Sequence, residues 1–123
     1  MVTRSLISIV DDDHSVRESL ESLIRSVGYT VQVFASAEEF LQWPDLASTE
    51  CLLLDIHMPG MDGVTLRRHL KGEHPDMPVI FITAHGSEED ARARALREDA
   101  VDSLLKPLNE DAVLTAVQAA LTK

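Results

Sequence analysis

"CLLLDIHMPGMDG", residues 51–63, is an apolar run that stops at an aspartate and then breaks into Pro and Gly. A short Leu-rich run bounded by turn residues reads as a buried strand. Asp55 therefore stands at the strand's carboxyl end, and "MPGMDG" turns the chain sharply away from it. Similar runs recur on both sides: "LISIV" (6–10), "TVQVF" (30–34), "PVIFIT" (78–83) and "AVDSLL" (100–105).

Between these runs the apolar spacing changes to a helical period. Val16, Leu20, Leu23, Ile24 and Val27 form one stripe, opened by Ser15 with Glu18 at capping-box spacing and closed by Gly28. Ser36 with Glu39 opens a second, short helix that stops before Pro44. A third follows Asp62, carries Val64, Leu66 and Leu70, and ends near Gly72. Ser87 with Asp90 opens a fourth, rich in Ala and Arg, in which Leu96 is the one large apolar residue, so little apolar surface anchors it. Asn109 caps a fifth, with Val113, Leu114, Val117 and Leu121 facing inward. Strand and helix alternate five times, which predicts an α/β fold: a parallel sheet covered by helices on both faces.

A chain of 123 residues without a long polar or Pro/Gly-rich interruption fits one domain over 1–123. Hydrophobic residues make up 45% and aromatic ones 4%, so the core is expected from Leu, Ile, Val and Ala. A formal charge of −10 opposes nucleic acid and anionic lipid, and favours a cation or a basic partner. Cys51 is the single cysteine, which excludes an internal disulfide and a Cys-based zinc cluster. Leu6–Val10 is too short for a signal sequence and nothing later reaches membrane-spanning length, giving the expectation of a cytoplasmic protein that does not bind membranes.

In an open parallel sheet the carboxyl ends of the strands share one edge, where ligands bind. This edge would collect Asp11, Asp12 and Asp13 after the first strand, Asp55 after the third, Thr83 after the fourth and Lys106 after the fifth. Adjacent carboxylates suit a hard, oxygen-seeking cation such as Mg²⁺ or Mn²⁺; alternatively Asp11–Asp13 cap the first helix, and both readings stand at this point. Taken singly, Lys106 reads as a surface lysine before a turn and Thr83 as an ordinary strand residue. Acids, hydroxyl and ammonium on one edge together describe a phosphoryl-transfer site with an aspartate as covalent acceptor.

"IVDDDHSVRESLESLIRSVGYTVQVFASAEEFL", "LLLDIHMPGMDG", "VIFITAHG" and "LLKPL" resemble the receiver domain of two-component response regulators, over essentially the whole chain and most closely its FixJ-like branch. The resemblance implies a flavodoxin-like, doubly wound five-stranded sheet of order 2-1-3-4-5 with five helices. It implies that Asp55 accepts a phosphoryl group from a sensor histidine kinase, and that Asp11, Asp12, Asp55 and the backbone carbonyl of His57 hold Mg²⁺ (or Mn²⁺). Thr83 and Lys106 would bind the phosphoryl oxygens, Lys106–Pro107 would be a cis peptide, and Asp13 would be an accessory acid. Such a domain is a signalling phosphoacceptor that catalyses only its own phosphorylation and dephosphorylation. Its switch biases the fourth helix and fifth strand toward an output, usually transcriptional, or toward a homodimer.

Two residues depart from that pattern. Ser103 stands where Phe or Tyr is usual, and Asp99 where Gly is common, an exchange Asp tolerates if the backbone adopts a positive φ. His57 and His85 occupy positions expected to tune hydrolysis of the acyl phosphate, with exposed loop histidines as the plain alternative. Two other readings compete. A haloacid-dehalogenase-like phosphatase would use Asp11 as nucleophile and Asp13 as acid/base; a phosphorylation-independent binding module would use the faces around the fourth and fifth helices.

Overall fold

The chain's five strands are held by their own burial. In the computed structural model, which describes residues 5–84 and 86–122, the parallel sheet comprises β1 (Leu6–Val10), β2 (Thr30–Phe34), β3 (Cys51–Asp55), β4 (Val79–Thr83) and β5 (Asp102–Leu105) in the order β2-β1-β3-β4-β5. Every residue of β3 and β4 is buried, as central parallel strands require. Successive side chains point to opposite faces. Leu53, Ile80 and Ile82 join Ile7 and Ile9 on one face, while Leu52, Leu54, Val79 and Phe81 join Val10 on the other. Fully burying each such side chain contributes about 1.5–3 kcal/mol.

Helices cover both faces. On the first lie α1 (His14–Ser26), through Leu20 and Ile24, and α5 (Glu110–Leu121), through Val113, Ala116, Val117 and Ala120. On the second lie α2 (Ala37–Gln42), through Phe40, and α3 (Gly63–Glu73), through Leu66 and Leu70. α4 (Glu88–Arg97) closes the β5 side of the sheet with Ala91 and Ala95 buried. The doubly wound order and the five helices match the expected fold.

Caps place these helices where side-chain oxygens stand. Ser36, Asp62 and Asn109 accept from the backbone N–H of Glu39, Thr65 and Ala112, and Ser87 forms a reciprocal capping box with Asp90. The first helix differs from expectation: Asp13, not Ser15, is its N-cap, accepting from Ser15 N and Val16 N. Val27 lies past the helix end, 50% exposed, and does not extend the apolar stripe. In α5 the inward positions fall on two alanines, Ala116 and Ala120, beside Val113 and Val117, while Leu114 and Leu121 are only partly buried.

The expected start of the fifth strand at residue 100 also shifts, to Asp102, because α4 ends in a closed C-terminal turn. Ala100 N donates to Ala95 O and Asp99 N to Leu96 O, with Asp99 at φ 58°. This is the same closure that ends α1, where Tyr29 N reaches Ile24 O and Gly28 adopts φ 100°. Asp99 thus occupies a left-handed position that glycine fills without strain. Asp99→Gly is expected to raise stability by about 0.5–1 kcal/mol, read as a higher urea midpoint at unchanged m, and Asp99→Val to lower it by about 1–2 kcal/mol.

α4 is also held by polar contacts. From α3 the buried Arg67 guanidinium donates to Glu98 O (3.2 Å) and Asp99 O (2.9 Å), and Arg68 makes a two-pronged pair with Glu98 at 2.9 and 2.7 Å. The shortage of apolar residues therefore does not leave the helix's C-terminal end loose; two arginines of α3 hold it.

Candidate functional site

The carboxyl ends of β1, β3, β4 and β5 do converge. Asp11, the first residue after β1, is fully buried, and Asp55, the last residue of β3, is 3% exposed. Asp12 is exposed beside them, and one carboxylate oxygen from each of Asp11, Asp12 and Asp55 lies within 4.8 Å of the others. Lys106, directly after β5, extends its ammonium to 3.1 Å from Asp11 Oδ2 and 3.8 Å from Asp55 Oδ2. Lys106–Pro107 is a cis peptide bond, and Lys106 N donates to the carbonyl of Thr83, which ends β4 and is buried.

Short local bonds aim these groups. Asp13 N donates to Asp11 Oδ1 (2.9 Å), and His57 N donates to Asp55 Oδ1 (3.3 Å). The contact of Lys106 with Asp11 Oδ2 is an ion pair without hydrogen-bond geometry, so this buried oxygen retains an unsatisfied lone pair. Asp13 turns the other way: its Oδ1 accepts from Ser15 N (2.8 Å) and Val16 N (3.3 Å), so its carboxylate serves the helix cap. Of the two readings open for the triplet, Asp13 takes the cap, while Asp11 and Asp12 face Asp55. The His57 side chain is exposed. His85 lies outside the described residues.

One ammonium faces three carboxylates here. Burial, followed by the Asp11 carboxylate, pushes Asp55 up to about 7 against the pull of Lys106, and the facing Asp12 side chain adds to the rise. The folded state thus holds a proton on Asp55 that the unfolded chain releases near its ordinary 3.8. Between those values the folded form binds more protons, so stability in a chelator falls as pH rises from about 4 to about 7 and then levels. Glu98, held down by Arg68, and Asp62, held down by the Thr65 N–H, act in the opposite sense and in a lower window, losing stability as pH falls below about 4. Urea midpoints from pH 4 to 8 with chelator are expected to decline across the upper window, and millimolar Mg²⁺ to remove most of the decline.

The donor set fits a hard divalent cation. It offers three carboxylates, two of them buried, an oxygen on Asp11 without a hydrogen-bond partner and, among the described residues, no cysteine ligand. The same arrangement sets the Asp55 carboxylate at the end of β3 with the Lys106 ammonium 3.8 Å away.

Gly63 belongs to this site and escapes a reading of sequence alone. It begins α3, donates its N–H to Ile56 O at 2.9 Å, and leaves no room for a Cβ, which would collide with the carbonyl oxygen of Asp55 and lie 2.8 Å from Ile56 Cα. In the sequence it reads only as part of the turn "MDG". Its steric reason is the close approach of α3 to the backbone that carries Asp55.

Comparison with known proteins agrees with this geometry. The family described as the response regulator receiver domain matches residues 7–118. Response regulator protein TodT of Pseudomonas putida is 43% identical over 117 residues, which are 95% of this chain and 51% of TodT. The DNA-binding transcriptional regulator NtrC of Escherichia coli is 39% identical over 119 residues, 97% of this chain and 25% of NtrC. A putative response regulator from Chloroflexus aurantiacus superposes with a TM-score of 0.88 at 33% identity, covering 98% of this chain and all of the other. The chain spans about half the length of TodT and a quarter of NtrC.

Proposed function

We infer the function from one premise: the chain belongs to the response regulator receiver domain family. It serves as the phosphoacceptor of a two-component signalling system, taking a phosphoryl group from a sensor histidine kinase onto Asp55. The observation that carries this reading is the meeting of Asp11, Asp12 and Asp55 within 4.8 Å, with Lys106 3.1 and 3.8 Å from Asp11 and Asp55.

An oxygen of Asp55 attacks phosphorus, the bond from phosphorus to the donor's imidazole nitrogen breaks with its electron pair leaving on nitrogen, and an acyl phosphate forms. Asp11, Asp12, Asp55 and the backbone carbonyl of His57 would hold Mg²⁺ or Mn²⁺. When bound, that ion supplies neutralisation of the charge on the phosphoryl oxygens. Lys106, whose ammonium lies 3.1 Å from Asp11 and 3.8 Å from Asp55, would pair with a phosphoryl oxygen. Thr83 offers its hydroxyl from the end of β4. Pro107 ends the β5 edge that presents Lys106.

Phosphorylation adds roughly two negative charges at Asp55 and biases α4 and β5, the face on which an output or a second copy docks. Ser103 is partly buried in β5 and carries no ring, so the bias passes through backbone and helix position instead of an aromatic side chain. The longer relatives support control of transcription by a further domain, and the motifs resemble those of the FixJ-like branch. Beyond its own phosphorylation and dephosphorylation the domain is not an enzyme, acts in the cytoplasm, and binds neither nucleic acid nor membrane by itself. Among the described residues no helix is long and apolar enough to cross a membrane. His57 and His85 tune hydrolysis of the acyl phosphate, which dephosphorylation rates of His57→Ala and His85→Ala against the parent test; unchanged rates would retire that role.

Asp13 argues against the phosphatase alternative, since the acid/base that mechanism needs is engaged in capping α1. Incubation with an acyl phosphate and Mg²⁺, followed by mapping of the modified residue, distinguishes the readings. Label at Asp55 supports the receiver, label at Asp11 the phosphatase, and no label a binding module.

A further inference from the structure

The loop Asp11–Asp13 carries two of the three clustered carboxylates, yet only one end of it belongs to regular structure shared with the sheet. A brace crosses it from α1. Arg17 reaches back over the first turn, and its Nη1 donates to the carbonyl oxygen of Asp11 at 2.8 Å, while Nη2 lies 3.4 Å from His14 Nδ1. The side chain is half-buried, so its stem is packed and its head held. The Asp11 peptide is thereby fixed at its carbonyl by Arg17 and at its N–H by Phe34 O, and its carboxylate by Asp13 N. With the backbone fixed and Oδ1 held by Asp13 N, the Asp11 carboxylate lies beside those of Asp12 and Asp55.

We propose that Arg17 is a positioning residue for the cation site, holding the loop so that Asp11 and Asp12 present their oxygens together with Asp55. The proposal rests on the metal-binding reading above. It makes a prediction opposite in sign to that of simple charge. A guanidinium beside the cluster repels a divalent cation, so removing it should tighten binding if Coulomb interaction alone mattered. A loosened loop weakens binding instead, in the way that loss of a group orienting a ligand costs roughly 10-fold or more in metal affinity.

α1 contains its own control. At its other end Arg25 Nη2 donates to Val31 O at 3.0 Å, also six residues away, but at the opposite end of the strands. Losing that brace costs stability without touching the site.

Mn²⁺ dissociation constants measured by electron paramagnetic resonance at fixed pH and ionic strength test the proposal, with circular dichroism melts on the same samples. Arg17→Ala and Arg17→Met, the latter keeping the packed stem, are expected to bind about 10-fold more weakly than the parent. Arg17→Lys, which keeps one donor, is expected to recover most of the loss. Arg25→Ala is expected to bind like the parent despite a lower melting temperature. Binding by Arg17→Met as tight as, or tighter than, the parent's overturns the role of Arg17 while leaving the metal site standing. Absence of Mn²⁺ binding by the parent overturns both.

Discussion

Asp55→Asn is expected to abolish phosphoryl acceptance and at the same time to make the metal-free protein more stable, by on the order of 2–4 kcal/mol at pH 8. The two effects have one cause. Asp55 is buried against Asp11, and its carboxyl, moved from its ordinary 3.8 to about 7, disfavours its ionised form by on the order of 4 kcal/mol before relaxation of the open edge reduces the figure. An amide in its place carries no charge. Its oxygen still accepts from His57 N, and its NH₂ takes the place of Oδ2, 3.8 Å from the Lys106 ammonium. Lys106 retains Asp11 at 3.1 Å as its partner. The amide also lacks the nucleophilic oxygen, so label from an acyl phosphate falls to background. Urea titrations in chelator read the stability gain, which shrinks toward pH 5, where the parent's Asp55 is already mostly protonated when folded. An unchanged midpoint at pH 8 would mean that the acids do not strain the fold, and the case for a cation would lose its energetic basis.

Such strain is characteristic of a site kept for chemistry. Replacing the cluster by uncharged residues would suit the fold better, as buried charges commonly cost more in desolvation than their pairing returns. The chain keeps them where strand ends meet, and under the proposed function a divalent ion would make the arrangement favourable.

Much of this was legible in the sequence because the physics concerned is local or periodic. The all-apolar Leu52–Leu54 announces a central strand, and the oxygens of Ser36, Asp62, Ser87 and Asn109 stand at the helix starts that the structure shows. Where two local signals competed, the sequence left the choice open. Ser15 with Glu18 has the spacing of a capping box, yet Asp13 wins because the chain turns immediately after β1 and its carboxylate reaches two N–H groups at once. Residues acting over long range were invisible. Arg67 looks like one of several surface cations in α3, but it is 3% exposed and bonds to carbonyls 31 and 32 residues away. Arg17 likewise reads as an ordinary helix-surface residue until Asp11 O is seen within its reach.

Gly63→Ala is expected to lower stability by about 1–3 kcal/mol and to slow phosphorylation of Asp55 at least 10-fold. By backbone preference alone the change should help: no left-handed φ applies at Gly63, and alanine in a helix is favoured over glycine by up to about 1 kcal/mol. The obstacle is steric and consists of backbone, the carbonyl oxygen and carbonyl carbon of Asp55 and the Cα of Ile56, none of which can rotate aside as a side chain would. Relief requires moving α3 away from β3 or moving the segment that carries Asp55. The first breaks the Gly63 N to Ile56 O bond, and the second misplaces the nucleophile relative to Lys106. Gly72, on the same helix, has nothing within 4 Å of its would-be Cβ, so Gly72→Ala is expected to gain about 0.5–1 kcal/mol and leave phosphorylation unchanged. Opposite signs for one substitution at two positions of α3, read by urea midpoints and by initial labelling rates, isolate the contact between Gly63 and the backbone of Asp55. Equal signs would show that the helix can yield there, and that the register of Asp55 is set elsewhere.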